Sequence, residues 1–191
     1  GQLGLVIADV TDKGMPSALL MALTRSILRA SLEGAPSLAH AIAKANRLIC
    51  ADSKLGMPVT LFCARLDPVS ALLTYVNAGH NPPLLWRPAS GELRELTRTG
   101  MVLGVDETTP YEEGSTTLEP GDVLLLYTDG VTDAIDLSEQ QFGLERMRAA
   151  FTGKPGASAT AILSRITLAI ERFAGAADPF DDITLLVAKR V

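Results

Sequence analysis

The chain opens on an unbroken apolar run, "LGLVIAD" from Leu3 to Asp9, the pattern of a strand covered on both faces. The period then changes. From Pro16 to about Ala30, the residues Leu19, Ala22, Leu23, Ile27 and Ala30 recur near helical spacing and predict a helix. Gly34-Ala35-Pro36 interrupts it, and Leu38, Ile42, Ala45 and Ile49 predict a second helix with one apolar face. "VTLFCARLD" (Val59 to Asp67) and "ALLTYVNAG" (Ala71 to Gly79) read as strands of a hairpin turned through "PVS". "PLLWRP" and "ELRELT" are shorter strands around Ala89-Ser90-Gly91, and "GDVLLLYTD" is a buried strand entered through Pro120-Gly121. Ser138 with Gln141 has the spacing of a capping box and predicts a third helix through Phe151. A fourth helix runs from about Ala159 to Phe173, with Ile162, Ile166, Ala169, Ile170 and Phe173 turned inward, and "ITLLVAKR" is the last strand.

Helices in pairs around a block of strands predict an α+β fold rather than an alternating parallel one. Several strands are apolar throughout, so both faces of each need cover. Two sheets face to face, each with a helix pair outside, satisfy that need.

Composition narrows the function classes. The 191 residues suit one domain, and 47% hydrophobic with 20% charged residues is ordinary for a globular protein. The net charge of −5 argues against nucleic acid, which calls for a basic face. No apolar run reaches the roughly 20 residues that span a bilayer, so no membrane segment is expected. The start lacks an initiator Met and a signal-peptide pattern, and reads as a piece of a longer chain. Cys50 and Cys63 are too few for a disulfide scaffold and are expected as reduced thiols of a cytoplasmic protein. A cysteine-dependent phosphatase is excluded, because Gly56 and Val69 stand where its Cys-x5-Arg loop needs arginine.

Aspartates at strand ends carry the candidate chemistry. Asp9 ends the first strand, Asp129 ends "GDVLLLYTD", and Asp181 and Asp182 precede the last strand. If the last strand runs antiparallel to either of the others, these carboxylates fall at one edge. Gathered carboxylates repel unless a cation holds them, and oxygen ligands without His or Cys suit Mg2+ or Mn2+. The other reading of each aspartate is a turn former or helix cap. Both stand on pattern alone.

The motifs "IADVTDKGMPSALLMAL", "NAGHNPPLL", "MVLGVDE", "GDVLLLYTDGVTDA", "FGLERM" and "DDITLLVAKR" occur in this order over nearly the whole chain. Together they resemble the metal-dependent protein phosphatase (PPM) family, in its bacterial branch of SpoIIE-type and sigma-factor regulatory serine phosphatases. The resemblance implies a four-layer αββα sandwich of two mainly antiparallel sheets flanked by helix pairs. It implies hydrolysis of phosphoserine or phosphothreonine on a protein, plausibly a phosphorylated anti-sigma factor antagonist, with two Mn2+ or Mg2+ ions. By motif, Asp9 bridges the metals with the Val10 main-chain carbonyl beside it, and Asp129 and Asp181 bind the first metal. Asp182 is the alternative to Asp181. Asp9, Asp129 and Asp181 would act through a water activated by the metals. A non-catalytic phosphoprotein-binding module is the competing reading.

The family begins with an acidic strand that lies upstream of Gly1, so residues 1–191 are expected to be its phosphatase domain without that strand. A sensor domain N-terminal to it and a homodimer are further expectations from the resemblance. Asp12 stands where the branch has Gly, as an added ligand or a helix cap. His80 is a general acid or, with Asn81, part of a turn; Lys13 is a phosphate contact or a solvated charge. His40, on the second helix, is read as a residue without a special role, Trp86 as packing or a surface anchor rather than a base-stacking platform, and Asp133 as a turn or helix-entry residue. The first two helices follow Asp9 directly and are expected to carry regulation through Leu19 and Leu23.

Overall fold

A computed structural model describes residues 1–11, 13–52, 57–178 and 181–191. In chain order the elements are β1 (Leu3–Val10), α1 (Met15–Leu32), α2 (Leu38–Asp52), β2 (Val59–Leu66), β3 (Leu72–Ala78), β4 (Leu84–Arg87), β5 (Glu92–Glu95), β6 (Gly114–Thr117), β7 (Val123–Tyr127), α3 (Gly143–Thr152), α4 (Ala159–Ala174) and β8 (Leu185–Lys189). They fall into two compact units, Gly1–His80 with Thr97–Thr117, and Asn81–Leu96 with Leu118–Val191. No described helix is long and apolar enough to cross a membrane.

The first unit holds a four-stranded sheet in the order β1-β2-β3-β6, antiparallel throughout. One face of it packs on the helix pair. Val10, Val59, Leu61, Cys63, Val76 and Ala78 meet Leu20 and Leu28 of α1 and Leu38, Ile42, Ala45 and Ile49 of α2 in one apolar cluster. The alternate positions Leu5, Ile7, Phe62 and Tyr75 are buried as well, but Leu3 and Val6 are exposed, so β1 is not covered on both faces along its whole length as its unbroken apolar run predicts. Among the described residues β1 is an outer strand of its sheet. On α1 the buried stripe is Leu20, Thr24, Leu28 and Ser31, whereas Leu19 and Leu23 are exposed.

The second unit repeats the plan with the sheet order β5-β4-β7-β8, again antiparallel. Leu84, Trp86, Val123, Leu125 and Tyr127 pack on Met147 and Phe151 of α3 and Ile162, Ile166 and Ile170 of α4. Trp86 lies edge-on to Phe151 at 6.0 Å between centroids and is buried, which favours packing over a surface anchor.

Two elements differ from the sequence reading. The polar strand β6 was not anticipated; it holds its place by pairing with β3, not by any apolar pattern of "GSTT". The third helix begins at Gly143 rather than at a capping box on Ser138. The Asp136 carboxylate instead accepts from the main-chain amides of Ser138 (2.8 Å) and Gln140 (3.0 Å), closing a turn that competes with the helix.

Candidate metal centre

In the second unit, β7 delivers its chain directly to a 3-10 turn, Asp129–Val131. Antiparallel pairing sets Tyr127 against Leu185, so the residues just past the end of β7 meet those just before β8. Thr128, buried between them, ties the two together. Its hydroxyl donates to the Asp182 carbonyl (3.2 Å) and accepts from the Thr184 amide (3.0 Å), and its own amide donates to the Thr184 carbonyl (3.1 Å). Gly130 completes the joint. A Cβ there would overlap the Asp182 carbonyl oxygen and lie 2.9 Å from its carbon. The glycine is required by close approach of another backbone, a reason distinct from the left-handed φ of +95° at Gly14.

Three carboxylates are brought together this way. Asp129 and Asp181 are half-buried, and Asp133 follows one helical turn after Asp129, its amide donating to the Asp129 carbonyl at 2.8 Å. Burial first, then the negative charge of Asp129, pushes the Asp133 carboxyl above the usual range; the Thr132 hydroxyl opposes this and Asp181 adds to it. Asp181 also lines a cleft of about 230 Å³ with Gly130, Ala134, Ile135, Gly175 and Ile183, whereas Asp182 is exposed and contributes its main-chain carbonyl to Thr128. Asp133 was missed as a member of this group. Its four-residue offset from Asp129 in "DGVTD" was the available signal.

In the first unit, Asp9 is half-buried near the end of β1 and Val10 is buried, in register with Thr60 and Val59 of β2. The β8 strand belongs to the other sheet, so the antiparallel relation that joins Asp129 to Asp181 does not extend to β1. Among the described residues no three His, Cys, Asp or Glu side chains form a ready-made metal cage. The donor chemistry still fits a hard cation. Asp129 and Asp181 offer only oxygens, and the negative charges of both act on the Asp133 carboxyl beside them. Asp12 lies outside the described residues, and Lys13 and His40 are exposed.

A family model described as stage II sporulation protein E (SpoIIE) matches residues 1–191. The fold thus sits within a known class: the chain belongs to the SpoIIE family of PPM-type phosphatases. Protein IcfG of Synechocystis sp. is 30% identical over 215 residues, covering 98% of this chain and 34% of that protein. Phosphoserine phosphatase RsbU of Bacillus subtilis is 29% identical over 131 residues, covering 69% of this chain and 39% of that protein. The chain therefore spans little more than a third of the length of these relatives. The SiaA-PP2C domain of Pseudomonas aeruginosa superposes with a TM-score of 0.83 at 18% identity, covering 98% of this chain and 79% of that one, and shows the PP2C-type α+β fold. The expected α+β class, with two antiparallel sheets and two helix pairs, is borne out. PPM phosphatases are metal-dependent, and a magnesium complex stands among the similar solved structures.

Proposed function

We propose that this chain is the catalytic domain of a Mn2+- or Mg2+-dependent phosphatase that hydrolyses phosphoserine or phosphothreonine on a protein. The observation that carries the reading is the joint between the Asp129 turn and the Asp181 segment, built by Gly130 and Thr128. It sets Asp181 on the lining of the cleft, its carboxylate accepting from the Asp182 amide at 2.9 Å, with the half-buried Asp129 on the adjoining turn. Asp129 and Asp181 are the proposed ligands in the second unit, with Asp181 preferred to the exposed Asp182. Asp9 and the Val10 carbonyl are the proposed ligands in the first, on the family motif.

Two bound ions would neutralise phosphoryl oxygens and lower the pKa of water at the site. The residues of the chain supply the rest. Thr128 fixes the direction of the segment bearing Asp181, and Thr132, donating to the Asp129 carbonyl at 3.0 Å, fixes the turn. Asp133 lies beside them, its carboxyl held above the usual range by burial first and then by the Asp129 charge.

The substrate we favour is a phosphorylated anti-sigma factor antagonist, on the likeness to RsbU. A sensor domain on the N-terminal side and a homodimer complete the proposal. Both cysteines are free thiols, which supports a cytoplasmic setting.

The test is release of phosphate from a phosphoserine protein by the full-length protein in Mn2+, with and without Asp129→Asn. Turnover that needs the metal and falls by more than about 100-fold in the variant supports the reading. Unchanged turnover in the variant overturns the assigned site. Binding of the phosphoprotein with no hydrolysis in Mn2+ would make the chain a recognition module instead.

A further inference from the structure

His80 is a motif residue that the proposed site leaves without a task, and its surroundings are specific. It follows β3 directly and is only 1% exposed. Its Nδ1 lies 2.8 Å from the Thr60 hydroxyl. Thr60 stands directly opposite Asp9 in the β1–β2 ladder, and its hydroxyl also reaches the Asp9 main-chain carbonyl at 3.4 Å. A hydroxyl has one hydrogen to give. Both contacts are hydrogen bonds only if the imidazole carries its proton on Nδ1 and donates to Thr60, leaving the Thr60 hydrogen for Asp9.

The turn that carries His80 is built to aim it. The His80 amide donates to the side-chain carbonyl of Asn77 at 2.9 Å, and Asn77 is itself fully buried. The Asn77 carbonyl accepts from the Thr99 amide (2.9 Å) and the Gly100 amide (3.2 Å). Gly79 adopts φ +73°, and a Cβ there would overlap Val102. A backbone pinned on three sides cannot swing the ring away from Thr60.

We infer that His80 is a positioning residue for the end of β1, acting through Thr60 on the Asp9–Val10 peptide group. The Asp9 carbonyl lies in the plane that joins Asp9 to Val10. Holding that oxygen fixes how the plane is turned, and so the direction of the Asp9 side chain before it and the Val10 carbonyl after it. The inference rests on the reading of Asp9 and Val10 as metal ligands. Partners one step behind a ligand typically change metal affinity by about 10–100-fold.

The experiment measures Mn2+ affinity by titration calorimetry on the full-length protein and on His80→Ala, His80→Asn, Thr60→Val and Asp9→Asn. Imidazole nitrogen shifts by NMR, read without metal, report the tautomer. His80→Ala and Thr60→Val should each weaken Mn2+ binding about 10–100-fold, with no further loss in the double variant. His80→Asn should restore most of it, because its amide nitrogen can stand where Nδ1 stood. The wild-type ring should carry its proton on Nδ1. A proton on Nε2, or His80→Ala binding Mn2+ as tightly as wild type while Asp9→Asn does not, overturns the role of His80. If Asp9→Asn itself leaves affinity unchanged, the ligand reading fails and the inference with it. Should His80→Ala not fold, Thr60→Val and the wild-type tautomer decide.

Discussion

The α-carbon of Gly130 rests against the main-chain carbonyl of Asp182, with no room for a side chain between them. This single contact sets how close the Asp129 turn lies to the segment that carries Asp181. Any residue larger than glycine has to move one of two backbones.

Gly130→Ala should therefore lower stability by about 1–3 kcal/mol, the usual cost of overpacking. Urea unfolding measures it. The same variant should weaken Mn2+ binding, since the Asp181 segment is displaced from the Asp129 turn. Loss of stability with unchanged metal affinity would mean that the joint is structural only.

Thr128→Val keeps the shape of the side chain and removes both of its bonds to the 182–184 segment. A loss of about 1–3 kcal/mol is expected, as for buried polar groups left without partners. Thr128→Ser should retain most of the wild-type stability, which separates the hydroxyl from the methyl group in the same unfolding assay.

On α1 the two sides of the helix should respond differently. Leu28 is buried, and Leu28→Ala should cost about 2–5 kcal/mol. Leu19 is 64% exposed, and Leu19→Ser should change stability by no more than about 0.5 kcal/mol. Any effect of Leu19 on metal affinity would then report regulation rather than folding.

Tyr127 gives a pH dependence with a definite sign. Burial pushes its phenol up to about 12, with Glu95 adding and Arg148 opposing. The unfolded chain releases this proton near the ordinary tyrosine value while the folded chain still holds it. The contribution to stability is complete below the unfolded pKa, about 10, and is lost as pH rises through about 12. Tyr127→Phe should remove this share of the alkaline destabilisation, visible as a shallower fall in unfolding temperature above about pH 10.

Much of the architecture was legible because apolar pattern and burial obey the same periodicity. The runs at Leu3 to Asp9, Val59 to Asp67 and Gly121 to Asp129 became β1, β2 and β7, and Ile162, Ile166 and Ile170 became the buried face of α4. The pattern failed where local polar groups or edge pairing governed. Asp136 closed a turn ahead of α3, and "GSTT" became β6 only because β3 offered it hydrogen bonds. On α1 the choice of face followed the packing against α2 and β1, which buried Thr24 in preference to Leu23.

By itself the sequence determined the class of fold, the family and the aspartates that end strands, since these depend on residue type and order. Tertiary structure decided what those aspartates face. Antiparallel pairing of β7 with β8 joined Asp129 to Asp181, and the bare backbone of Gly130 let them approach. The same folding placed Asp133 beside them and buried His80 against Thr60. The Thr60–His80 and Thr128–Asp182 contacts connect residues 20 and 54 positions apart, where no local periodicity reaches and only the register of paired strands assigns neighbours.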